Sequence, residues 1–223
     1  MPSLREAVQL QIMLSSILTK NNVPVNIPAG QPFCQMGTLQ ITVQGQQESL
    51  PVSLVLVLDC SSSMEGRPLE LLNAGIRSVV EGLRPDDRLS LIKFSGQAEV
   101  VVEDASKEEI LRDGVPQLEA EYLTNYEAAL ETTLDLIGRL SVTSPWESNV
   151  GASQRAGTVL FFSDGYPSAG EPREDLVARI VSKGYTFHTM GLGEDVDPST
   201  LLAMAENGGG LYRHAKSEDE LQE

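Results

Sequence analysis

From residue 52 onward the chain alternates between short apolar runs and amphipathic stretches. Leu54-Val55-Leu56-Val57-Leu58 is apolar at every position. A strand tolerates that only when both of its faces are covered, so the run predicts a central parallel strand in a layered α/β sheet. Thr158-Val-Leu-Phe-Phe162 is a second run of the same kind. After the first run, Pro68 suits a first helical turn, and Leu69, Leu72, Ile76, Val79 and Leu83 follow at helical spacing. Pro85-Asp86-Asp87 closes that helix as a turn, and Leu89 to Phe94 is the next strand. Ser95-Gly96-Gln97 is short enough for a hairpin, so Glu99 to Glu103 is predicted to return antiparallel at the sheet edge. The glutamates at its ends discourage pairing with other chains. Ser106 and Glu109 have capping-box spacing and open a short helix.

A longer helix is predicted from Thr124 to about Leu140, with Leu130, Leu134 and Ile137 on one face, before a polar loop over 141–157. The second apolar strand is followed by a helix over Glu174 to Lys183, a strand over Tyr185 to Met190 and a helix over Pro198 to Glu206. A strand over Leu211 to His214 and an acidic helical stub to Glu223 complete the pattern. Gly191-Leu192-Gly193 and Gly208-Gly209-Gly210 lack the strand-to-helix setting of a dinucleotide-binding loop and read as turns. The first fifty residues do not share this rhythm. Val8, Leu10, Ile12 and Leu14 alternate as in a strand, although a helix from Leu4 to Lys20 fits nearly as well. Residues 21–37 are rich in proline and read as irregular, and Leu39, Ile41 and Val43 alternate again as a strand. The expected organisation is a β-rich N-terminal extension over 1–50, packed on a main α/β domain over 51–223.

Composition narrows the function classes. Hydrophobic residues make up 41% of the 223 residues, enough for a substantial core. No stretch approaches the ~18 unbroken apolar residues of a membrane helix. The first twenty residues lack the apolar segment of a signal peptide, which points to a cytoplasmic location. Cys34 and Cys60 are the two cysteines, and Cys60 lies inside the motif loop discussed next, so free thiols are expected. Thirty-two acidic against sixteen basic residues give a formal charge of −16. Such a field repels phosphate backbones and anionic membranes, which argues against nucleic acid and membrane insertion. It suits solubility, a basic partner, or a bound cation.

Chemistry concentrates at strand ends. Asp59-Cys60-Ser61-Ser62-Ser63 follows the first apolar strand, Asp164 follows the second, and Thr124 stands just before the long crossover helix. Open α/β sheets bind ligands at the carboxyl ends of strands flanking the topological switch point, so these residues can meet at one crevice. Taken singly, Ser61, Ser63 and Thr124 also read as helix caps and Asp164-Gly165 as a turn. Three catalytic readings fare worse. A haloacid-dehalogenase-like phosphatase needs a second acid where Ser61 stands. A cysteine phosphatase needs an arginine one residue nearer to Cys60 than Arg67, and Asp59 beside the thiol would raise its pKa. A hydrolytic triad would have to draw on His188 or His214, both of which read as structural.

The motif pieces together resemble the von Willebrand factor type A domain with its metal-ion-dependent adhesion site (MIDAS). The matching residues are Asp59, Ser61 and Ser63, Thr124 in Leu-Thr-Asn-Tyr, and Asp164 in Phe-Ser-Asp-Gly, with Met64 and Asp87-Arg-Leu-Ser-Leu in common family usage. The resemblance covers roughly residues 52–216 and implies a three-layer α/β/α Rossmann-like sandwich, mostly parallel with one antiparallel edge strand. It implies that Ser61, Ser63 and Thr124 bind Mg²⁺, with Mn²⁺ or Ca²⁺ as alternatives, through hydroxyl oxygens, and that Asp59 and Asp164 act through bound waters. Neutral hydroxyl ligands leave the ion's charge largely uncompensated, so the implied function is binding a Glu or Asp from a partner protein, without catalysis. The alternatives are an assembly module with an idle metal site and, more remotely, a phosphatase-like hydrolase. Ser62 and Leu123 stand where many family members have glycine, and a positive φ at either would carry strain.

Overall fold

The computed structural model describes residues 9–15, 19–20, 23–24, 38–44, 50–140, 155–170, 173–194 and 196–217. The chain divides into two compact units, Met1–Ser49 and Leu50–Glu223. In the first unit, β1 (Gln9–Ser15) pairs antiparallel with β4 (Thr38–Gln44). Two short strands, β2 (Thr19–Lys20) and β3 (Val23–Pro24), form a second antiparallel pair, with β3 inside the segment read as irregular. The register sets Leu10 opposite Val43, Ile12 opposite Ile41 and Leu14 opposite Leu39, so the apolar positions of both strands share one face. That shared period of two explains why the strand reading prevails over the helix across Gln9–Ser15.

The second unit runs β5 (Val52–Asp59), α1 (Arg67–Gly82), β6 (Arg88–Phe94), β7 (Ala98–Ala105), α2 (Lys107–Asp113), α3 (Tyr126–Arg139) and β8 (Ala156–Ser163). It continues through α4 (Glu174–Ser182), β9 (Tyr185–Leu192), α5 (Pro198–Asn207) and β10 (Gly209–Ala215). The six strands form one sheet in the order β10-β9-β8-β5-β6-β7, parallel except for β7, which turns back antiparallel on β6. The hairpin and the capping box of Ser106 and Glu109 are both as the sequence predicts. The acidic stub and most of the 141–157 loop lie outside the described residues.

Helices cover both faces of the sheet. Val55, Val57, Ile92, Phe94, Val159, Phe161 and Phe187 pack on one face with residues of α3, α4 and α5. Leu56, Leu58, Leu89 and Leu91 pack on the other with Leu72, Ile76 and Val80 of α1 and Ile110 of α2. β5 is therefore buried on both sides, which accounts for its unbroken apolar sequence. Burying each such side chain contributes roughly 2 kcal/mol, so a slip of β5 along its neighbours would be costly and its tip is held in place. β5 also lies beside β8, and the chain leaves these two neighbours in opposite directions across the sheet, from β5 towards β6 and from β8 towards β9. The topological switch point thus falls at Asp59. Among the described residues no helix is long and apolar enough to cross a membrane.

Of the glycines read as turns, Gly193 and Gly208 do lie at turns outside the strands, and the other three are strand residues. Gly191 belongs to β9, and Gly209 and Gly210 open β10. A Cβ on Gly210 would fall 2.1 Å from the Phe187 carbonyl oxygen, so β10 lies against β9 at a distance only glycine permits.

Asp87 locks the entry to β5. Its carboxylate accepts the Val52 N–H at 2.8 Å, the Arg84 N–H at 2.9 Å and the Arg84 guanidinium at 3.0 and 3.1 Å. Burial alone would raise its pKa, but these donors outweigh that and hold it below the usual carboxylate value. Asp87→Ala is expected to cost about 2 kcal/mol at neutral pH, since it strands two backbone donors. A folded pKa below the unfolded one means this stability is full above the unfolded value and is lost as pH falls through the folded one. Urea midpoints of wild type and variant should therefore differ at neutral pH and converge well below pH ~4.

Candidate functional site

Three loops meet where β5, β6 and β8 end. The first carries Asp59, Ser61 and Ser63. Asp59 is fully buried, and its Oδ1 accepts the Ser61 backbone N–H at 2.8 Å. Its Oδ2 accepts the hydroxyl of Ser163, the last residue of β8. The Ser163 hydroxyl has one proton and gives it to Asp59, so the Tyr126 hydroxyl, 2.6 Å away, must donate to Ser163, as does the Gly165 N–H at 3.1 Å. The chain Tyr126–Ser163–Asp59 joins α3, β8 and β5 with every polar atom satisfied. Around Tyr126, the rings of Phe94 and Phe161 lie 5.9 and 5.0 Å away, edge-on.

Ser61 is buried and Ser63 exposed, and their hydroxyl oxygens are hydrogen-bonded at 3.0 Å. Neither serves as a helix cap. Ser61 precedes a short 3₁₀ turn over Ser62–Met64 without a side-chain bond to it, and Gly66 occupies the N-cap of α1. Thr124 is not the cap of α3 either: Asn125 is, its Oδ1 accepting the Ala128 N–H at 3.1 Å. None of these three hydroxyls caps a helix.

Thr124 is buried in a loop tethered on all sides. The Glu121 N–H donates to the Cys60 carbonyl at 2.6 Å, and the Asn125 N–H to the Ser95 carbonyl at 2.8 Å. The Thr124 N–H donates to the Ser168 hydroxyl at 2.9 Å, and its carbonyl accepts from Ser168 and Ala169, both at 3.0 Å. Ser168 and Ala169 follow Asp164, so the second and third loops are bound together. Asp164 is buried, its Oδ1 accepting the Tyr166 N–H at 3.2 Å and its carbonyl accepting the Asp197 N–H at 3.0 Å. Gly165 has φ 90°, and a Cβ there would fall 2.0 Å from the Asp197 carbonyl oxygen, so glycine is required. The turn reading of Asp164-Gly165 and the site reading are both satisfied by one geometry.

Electrostatics follow from this burial. Burial pushes the Asp59 carboxyl up to about 6, against the hydrogen bonds from Ser163 and Ser61, and the charge of Asp164 adds to the rise. Burial, with Asp59 alongside, pushes the Cys60 thiol up to about 12, so this free and buried cysteine is no nucleophile. Cys34 lies outside the described residues. His188 and His214 are structural, accepting the Leu211 N–H at 3.1 Å and meeting the Gly193 carbonyl at 2.7 Å respectively.

The donor set suits a hard cation. Among the described residues no group of three or more His, Cys, Asp or Glu side chains gathers as a metal site. The Ser61 and Ser63 hydroxyls touch, and the Asp164 carboxylate is near enough for its charge to act on Asp59, so the donors here are oxygens. Neighbouring ligands of an octahedral ion at about 2.1 Å lie about 3 Å apart, close to the Ser61–Ser63 separation. Of the two glycine substitutions, Ser62 costs nothing, since the non-glycine residues with positive φ among those described are Asp104 and Leu123. Leu123 has φ 68°, a conformation that costs an ordinary residue about 1–2 kcal/mol. Ser163 and Tyr126 were missed by sequence reasoning. Ser163 adjoins a motif residue, but nothing in the sequence marks its hydroxyl as the donor to Asp59.

The family model of the von Willebrand factor type A domain matches residues 53–223, and the chain belongs to that family. Members typically serve as protein-interaction and adhesion modules. An uncharacterised protein of Synechocystis, sll0103, is 28% identical over 95% of this chain and 48% of its own length. The inter-alpha-trypsin inhibitor heavy chain H1 of Bos taurus is 26% identical over 79% of this chain and 20% of its own. The chain thus spans less than half the length of these relatives. Among solved structures, the proximal thread matrix protein 1 of mussel byssus with a zinc-occupied MIDAS motif superposes with TM-score 0.57 at 16% identity, over 77% of this chain and 45% of that one.

Ser163→Ala strands both Asp59 Oδ2 and the Tyr126 hydroxyl, and is expected to cost about 2–3 kcal/mol in urea unfolding. Tyr126→Phe removes only the outer link and should cost about 1 kcal/mol.

Proposed function

We propose that this chain is a divalent-cation-dependent protein-binding module, with Asp59, Ser61, Ser63, Thr124 and Asp164 holding Mg²⁺ or Mn²⁺. The observation that carries the reading is the convergence of three hydroxyls and two carboxylates on three mutually tethered loops at the switch point, with none of the hydroxyls used as a helix cap. Ser61, Ser63 and Thr124 present neutral oxygens to the ion. Asp59, with one oxygen held by Ser61 and the other by Ser163, is placed to accept from bound waters. The ion, when bound, supplies an under-neutralised open position that attracts a carboxylate from a partner. The thiol beside the crevice, Cys60, is buried and kept protonated, which supports binding over nucleophilic catalysis.

Calorimetry with Mg²⁺ and Mn²⁺ tests this. Wild type is expected to bind both, and Asp59→Ala and the exposed Ser63→Ala to weaken binding by about tenfold or more. Equal binding in both variants would refute the ligand set. A partner captured by pull-down should be released by EDTA; full retention would instead support an assembly module with an idle site.

A further inference from the structure

Among the described residues nine large apolar side chains are exposed, and three of them, Tyr122, Leu123 and Tyr166, lie on the two loops that carry Thr124 and Asp164. Tyr122 is 86% exposed, Leu123 55% and Tyr166 51%. Tyr122 and Leu123 immediately precede Thr124, and the Tyr166 backbone is bonded to the Asp164 carboxylate.

Leu123 is the odd residue. The tethers of Glu121, Thr124 and Asn125 hold the chain at φ 68° there, a turn glycine would make without crowding. Asp104, at φ 46°, is of a type that tolerates the left-handed region; a leucine is not. Nor does full burial offset the strain, since more than half of Leu123 faces solvent. Folding alone would favour a smaller residue. Strain kept by a well-tethered loop beside a binding site points to use outside the domain.

We infer that Tyr122, Leu123 and Tyr166 form an apolar rim around the cation site, which receives an aliphatic or aromatic side chain next to the acidic residue of a protein partner. The inference rests on the metal-dependent reading above. A small free carboxylate would leave the rim in water. A run of acids would be repelled by the chain's charge of −16. A single acid with apolar neighbours satisfies both constraints: the carboxylate meets the cation while its neighbours dry the rim.

The test uses the full chain loaded with Mn²⁺ and labelled peptides with one central Asp, flanked by Leu and Phe or by Ser and Gly. Fluorescence anisotropy is expected to show the apolar-flanked peptide binding about tenfold tighter to wild type. Leu123→Gly and Tyr122→Ser should shrink that gap to about twofold, with Mn²⁺ affinity by electron paramagnetic resonance unchanged and thermal midpoints no lower than wild type. Mn²⁺ bound with no preference between peptides, no binding of either, or a gap unchanged in both variants overturns the rim. Failure of wild type to bind Mn²⁺ overturns the rim and the metal reading together, so the two failures are distinguishable.

Discussion

A buried carboxylate governs this domain. Asp59 is carried to the sheet interior by a strand apolar on both faces, and a charge buried there is tolerated only with donors on each oxygen. One donor is local, the Ser61 N–H; the other is the Ser163 hydroxyl on the neighbouring strand, itself served by Tyr126. Satisfying Asp59 therefore requires β5 and β8 to be neighbours and α3 to start above them. Strand order, helix placement and site assembly are consequences of one requirement, and the rings of Phe94, Tyr126 and Phe161 fill the space beneath it.

The polar centre and its rim divide labour between rigidity and reach. Asp59, Ser61, Thr124 and Asp164 are recessed and their loops fixed by backbone hydrogen bonds, so the hydroxyls need little reordering to accept a cation. Ser63, Tyr122, Leu123 and Tyr166 stand outside in solvent. The strain at Leu123 falls between these zones, at the junction of a tethered backbone and an exposed side chain. The same tethers that position Thr124 impose that strain, so the accuracy of the site and the conformation of its rim are linked.

Much of this was legible along the chain, for physical reasons that differ by residue. The runs through Leu54 to Leu58 and Thr158 to Phe162 announced buried strands because few other settings accept such sequences. The hairpin after Phe94 and the capping box at Ser106 depend on contacts three or four residues apart, which sequence encodes directly. Thr124 as a cap was a near miss: Asn125 caps equally well and wins because the Thr124 backbone is drawn away by Ser168 and Ala169. Gly210 looked like part of a turn because tight approach to Phe187 leaves the same trace in sequence as a bend.

By itself the sequence determined the layered fold and the edge strand, since each rests on local period, and it supplied the five oxygen-bearing residues on which the proposal is built. Tertiary structure alone decided the roles of Ser163 and Tyr126, which reach Asp59 from 104 residues away and through a relay. It also decided that Leu123 and not Ser62 bears the strain, because that follows from hydrogen bonds reaching the 121–125 loop from Cys60, Ser95 and Ser168. Side-chain chemistry is written locally; which hydroxyl meets which carboxylate is settled only when distant strands pack.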